Sequence, residues 1–132
     1  MSMTYQDCMA YLAKAKDPRN GRPVAKGTRI KFWMPLESWG GVARCTPRAL
    51  LTYHYSILVE WQPTMTFVTN DGYMTKTVKN RINDYLPHGY HIQQVKNQWV
   101  ITNPERMVKT WLPSAFTIAF THDGQLEWID EG

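Results

Sequence analysis

From Thr28 onward the apolar residues of this chain recur mainly with a period of two, in short bursts that proline, glycine or Asn-Asp-Gly clusters cut off within about a dozen residues. Bursts of this kind make strands joined by turns, and a chain built largely of them folds into antiparallel sheet. Thr28 to Met34 alternates in this way. Leu50 to Trp61 reads as one long, largely covered strand, and Met65 to Thr69 as the next. Tyr90 to Val95 and Gln98 to Thr102 read as a hairpin around Lys96-Asn97. A short helical turn through Met107 follows, then strands at Ser114 to Thr121 and Leu126 to Ile129.

Only two segments show the helical period. Between Thr4 and Lys16, Tyr5, Cys8, Met9, Leu12 and Ala15 share one face, with Thr4 as N-cap and Asp7 in the first turn. Between Thr75 and Leu86, Val78, Ile82, Tyr85 and Leu86 share a face, and Pro87 and Gly89 stop the run. The expected fold is therefore α+β, a single domain over residues 1–132 with a mainly antiparallel β-sheet and two helices. With 132 residues, 43% of them hydrophobic and 20% charged, the chain is long enough to bury about two thirds of its unfolded surface. That composition excludes a disordered tail, and no apolar run approaches the ~20 residues of a membrane-crossing helix.

Catalytic signals are thin. The four histidines, His54, His88, His91 and His122, form no His-Glu-x-x-His pair, and Cys8 and Cys45 belong to no Cys-x-x-Cys pair, so neither a metal nor a cofactor is expected. Both cysteines read as small buried apolar residues. His54, between Tyr53 and Tyr55 in an apolar stretch, reads as a hydrogen-bonded structural histidine. There is no Gly-rich phosphate loop, and the eleven carboxylates are scattered singly. The chain reads as a binding protein and not as an enzyme.

Its charge is polarised. Nine Lys and Arg residues against two carboxylates lie between Lys14 and Arg48, whereas the last ten residues carry four carboxylates and no Lys or Arg. A basic face of this kind attracts an anionic partner when its members converge in space. The candidate contacts to nucleic acid are Arg19, Arg22, Lys26, Arg29 and Lys31, together with Thr75, Lys76, Lys79 and Arg81 on the second helix and Lys96 at the hairpin tip. Thr75 stands at a helix start, where a hydroxyl and the positive dipole end both suit a phosphate. Helix followed by hairpin is also the order in which a winged helix presents its recognition helix and wing. Trp39, beside Gly40-Gly41, is the candidate exposed anchor for a base or for a protein groove.

The run from Gly72 through Tyr73, Thr75, Thr77, Lys79 and Arg81 to Asn83 resembles a pattern in a family of small uncharacterised bacteriophage proteins. That pattern is Gly, an aromatic, Thr-x-Thr-Thr-Lys-x-Arg, an aliphatic residue and Asn. Tyr53-His54 and Gln98-Trp99-Val100 are similar to its flanks, and Val78 departs from its second consecutive threonine. The resemblance implies a phage accessory protein acting in the host cytoplasm. Its expected partner is nucleic acid. The alternative is a host protein or nucleoprotein, with the chain acting as an inhibitor of a restriction or CRISPR-type complex. Neither reading fixes an oligomeric state.

Overall fold

The computed structural model describes residues 2–34, 36–39, 42–45 and 47–130, with backbone alone for 36–39 and 42–45. Two helices and three antiparallel sheets make up an α+β fold that is mainly sheet. Helix α1 (Tyr5–Leu12) starts where the hydroxyl of Thr4 accepts the Asp7 N–H and the Asp7 carboxylate accepts the Thr4 N–H. This reciprocal pair satisfies two of the donors that a helix start leaves open.

The main sheet has seven strands in the order β1 (Arg22–Ala25), β2 (Thr28–Trp33), β5 (Arg48–Tyr53), β6 (Ser56–Trp61), β7 (Met65–Thr69), β11 (Thr117–Thr121) and β12 (Leu126–Asp130). Strands β3 (Leu36–Trp39) and β4 (Val42–Cys45) pair with each other as a two-stranded sheet. The third sheet has the order β10 (Val108–Leu112), β9 (Gln98–Asn103), β8 (His91–Val95). Helix α2 (Lys76–Tyr85) follows β7, and a 3₁₀ turn (Pro104–Arg106) links β9 to β10.

Register explains where the core lies. Ile30, Leu51, Val59, Val68 and Ile118 stand directly opposite one another across five adjacent strands, and all are fully buried. Burial of each such side chain is worth about 1.5–3 kcal/mol. Cys8 and Leu12 of α1, Val78, Ile82 and Tyr85 of α2, and Trp99, Ile101 and Leu112 of the third sheet join them in one core. Edge-on ring contacts bind the layers, Trp61 to Tyr85 at 6.0 Å and Tyr90 to Phe120 at 4.9 Å between centroids. Burial pushes the Cys8 thiol far up, with the Asp7 charge adding to the effect, so it stays protonated. The side chain of Cys45 lies outside the described residues.

The third sheet is fastened to α2 by one side chain. Asn83 donates to the Ile92 carbonyl and accepts the Ile92 N–H, both at 2.7 Å. Its amide thus supplies at β8 the pairing that a further strand would give, and closes that edge.

The structure departs from the sequence reading in several places, and strands β1, β3 and β4 fall in stretches where the sequence pattern predicts no strand. Leu50 to Trp61 is not one strand but the two arms of a hairpin, turning at His54 and Tyr55. His54 takes the left-handed conformation, φ +53°, that such turns usually give to glycine or asparagine. It is exposed, and its ring lies against Tyr53 at 4.3 Å between centroids. The segment after the 3₁₀ turn is also ordered differently, as β10 paired along its length with β9.

Candidate functional site

The His54–Tyr55 turn stands between two groups of cations. On β2, Thr28 and Ile30 point into the core, so Arg29 and Lys31 point to the opposite face of the sheet. Helix α2 packs on the core side. The two groups therefore do not form one flat patch, as a single basic face would require. Of the α2 cations, Arg81 reaches the end of the sheet, at Thr28.

Thr28 makes the connection. Its buried hydroxyl donates to the Lys26 carbonyl at 3.0 Å and accepts from Nε of Arg81 at 2.9 Å, tying the β1–β2 turn to α2. The neighbouring turn is tied in as well, because His54 N–H donates to the Gly27 carbonyl at 2.8 Å. Gly27 has φ +66°, and a Cβ there would come within 2.7 Å of the His54 ring. Only glycine permits this approach without displacing the imidazole.

Two grooves open on either side of this corner and share His54 and Tyr55. One, of about 320 Å³, is lined by Gly27, Thr28, Arg29, Lys31 and Thr52. The other, of about 340 Å³, is lined by Tyr53, Ser56, Tyr73, Thr75, Thr77 and Val78 at the start of α2. Tyr55 is fully exposed between them, and Tyr73 is 54% exposed. The Thr75 hydroxyl accepts the Val78 N–H at 3.2 Å, which leaves its own proton free to donate outward from an exposed position. Lys76 is exposed beside it.

The remaining candidates divide by the work they do in the fold. Arg22 lies 3.9 Å over the Tyr11 ring and donates to the Tyr11 carbonyl, so it anchors β1 to α1. Arg29 donates to the carbonyls of Asn20 and Gly21, holding the loop before β1, yet keeps its charge beside the first groove. Arg19 is exposed in that loop. Lys26 is exposed at the β1–β2 turn, Lys79 half-buried on α2. Lys96 sits at the β8–β9 turn and lines a third groove with Met74 and Trp111. Trp39 lies outside the described side chains. Among the described residues no carboxylate lies within ion-pair distance of Lys26, Arg29, Lys31, Lys76, Lys79, Arg81 or Lys96; the ion pairs found are Arg48 with Glu60 and His88 with Glu105.

The run from Gly72 to Asn83 has a structural explanation for part of its length. Gly72 turns with φ +78°, Thr75 caps α2, Val78 and Ile82 enter the core, Arg81 holds Thr28 and Asn83 holds Ile92. Tyr73, Lys76, Thr77 and Lys79 are left for other work. Sequence reading did not single out Trp111, and it weighed Tyr55 as a stacking ring without reading its full exposure. Each stands in a stretch whose pairing only the fold reveals.

A winged-helix arrangement is not what the order of elements produces. Seven strands separate α1 from α2, and the exposed stripe of α2 runs Lys76, Asn80, Asp84, ending in an acid. Among the described residues no three His, Cys, Asp or Glu side chains gather as metal ligands would, and no helix is long and apolar enough to cross a membrane. Comparison with protein-family models, curated protein sequences and solved structures found no match.

Proposed function

We propose that this protein is a non-catalytic phage accessory protein, acting in the host cytoplasm, that engages nucleic acid through the cations around the His54–Tyr55 corner. The observation that carries this reading is the junction at Thr28, which joins the Lys26, Arg29 and Lys31 group to Arg81 and the start of α2. Among the described residues no carboxylate lines the two grooves there. Cations not neutralised by a nearby carboxylate keep their attraction for phosphate, and releasing counterions from a polyanion makes such binding steeply salt-dependent.

Lys76 and Lys79 are the clean probes, since Arg81 holds the fold through Thr28. Binding of the Lys76→Ala/Lys79→Ala variant, followed by fluorescence anisotropy over a salt series, should show a slope shallower by about 0.7 to 0.9 per lost contact. An unchanged slope would remove α2 from the interface.

A second reading, an inhibitor of a host defence complex, draws on a different surface. Trp128, 46% exposed and tilted against Phe67 at 6.0 Å between ring centroids, lies on the open face of the sheet with Glu127 and Asp130 beside it. An aromatic anchor rimmed by acids suits a basic protein surface. A stoichiometric complex with one host protein, lost in Trp128→Ala and indifferent to Lys76→Ala/Lys79→Ala, would favour it.

A further inference from the structure

We infer that the nucleic acid recognised is single-stranded, and that it follows a track of three consecutive grooves around the end of the main sheet. This rests on the nucleic-acid reading above and specifies its ligand. The first groove carries Arg29 and Lys31 and ends at His54 and Tyr55. The second begins at the same two residues and ends at Tyr73 and Thr75. The third, of about 580 Å³, is lined by Met74, the chain neighbour of Tyr73 and Thr75, and by Lys96 and Trp111. Lys109 stands two residues from Trp111 on the same face of β10 and is exposed.

Three features of the track match an unpaired strand. Exposed rings punctuate it: Tyr55 at the first junction, Tyr73 at the second and Trp111, 47% exposed, in the third groove. Arg29 and Lys31 line the first groove and Lys96 the third, and among the described residues no aspartate or glutamate lines any of the three. Interleaved cations and aromatic faces are what bind an unpaired strand, phosphates to the charges and bases to the rings.

The third feature is shape. The Arg29 and Lys31 groove lies on one face of the sheet and the Tyr73 and Thr75 groove on the other, so a ligand touching both must turn around the strand ends. A duplex, with a persistence length of about 150 base pairs, resists such a turn, whereas an unpaired strand rotates freely about its backbone bonds. The bases inside a duplex are also stacked on one another and offer no face to Tyr55.

The test compares anisotropy of labelled oligothymidylate, oligouridylate and a DNA duplex of equal length, with the full chain and with Tyr55→Ala, Tyr73→Ala and Trp111→Ala. These rings are exposed, and equal urea midpoints verify that the variants fold. Both single strands, or one of them, should bind at least about tenfold more tightly than the duplex. Each alanine should weaken binding between about fivefold and about hundredfold, while Tyr55→Phe, which keeps the ring, should retain affinity. Preference for one single strand over the other identifies the ligand as DNA or RNA within the same proposal. Duplex bound as tightly as single strands, or all three alanine variants binding like the parent, overturns the track while leaving the basic interface standing. Absence of salt-sensitive binding to every oligonucleotide overturns both.

Discussion

Gly21 and Gly72 have almost the same backbone angle, φ +77° and +78°, and opposite surroundings. A Cβ on Gly21 would overlap the main-chain carbonyl of Ile30, whereas one on Gly72 meets nothing within 4 Å. Gly72→Ala therefore isolates the cost of a left-handed residue, about 1–2 kcal/mol. Gly21→Ala adds a collision with β2 and should cost clearly more, in the range of severe core defects at about 4 kcal/mol. Urea denaturation of the two variants checks the order, and equal losses would mean that the β1–β2 hairpin yields freely. Asn83 allows a sharper test. Asn83→Ala strands both main-chain groups of a buried residue, Ile92, and should lose about 1–3 kcal/mol for each group left unpaired. Asn83→Asp keeps the acceptor but sets a carboxylate against a carbonyl oxygen, and should restore little of that loss. At this scale the sequence shows spacing more clearly than role: Arg81 and Asn83 stand out in the Gly72 to Asn83 run, yet both look inward.

Helix α2 and the β5–β6 hairpin illustrate what an element reveals in its sequence. Both helices were legible, because Thr4 and Thr75 cap them and the apolar residues keep the 3.6 period. The hairpin was not. Its turn has no glycine, proline or asparagine, and Tyr53 and Tyr55 continue the β-favouring composition straight through it. The left-handed His54 is selected by contacts with Gly27, which lies far away in sequence. The same element carries the proposed site, so a missed turn also hid the full exposure of Tyr55. Thr75 separates stability from binding within α2. Asp is as good an N-cap as Thr or better, so Thr75→Asp should leave the unfolding free energy within about 0.5 kcal/mol, whereas Thr75→Ala should cost about 1 kcal/mol. Binding should show the reverse order, because the aspartate brings a negative charge to the groove. Chemical denaturation and anisotropy on the same two variants check both halves, and a tighter-binding Thr75→Asp would refute the phosphate-facing orientation of this helix start.

Over the whole molecule, the α+β class and the strand-rich plan followed from local periodicity, but the arrangement of charge did not. Which face Arg29 takes depends on the register of β2 against β5, and which cation meets which turn depends on the pairing order of seven strands. The result is a rim around the end of a sheet with Arg29 and Lys31 on one face and Arg81 on the other, in place of the single face suggested by the charge count. Arg22, Arg29 and Arg81 also brace that rim, to α1, to the Asn20–Gly21 loop and to Thr28. The central claim is that Lys26, Arg29, Lys31, Lys76 and Lys79 act together on one polyanion. The most direct measurement is the dissociation constant for a labelled single-stranded oligonucleotide across a salt series. Five phosphate contacts predict a log–log slope near −3.5 and an affinity loss on the order of 100-fold between about 50 and about 200 mM salt. A flat dependence, or no binding at the lowest salt, would contradict the account.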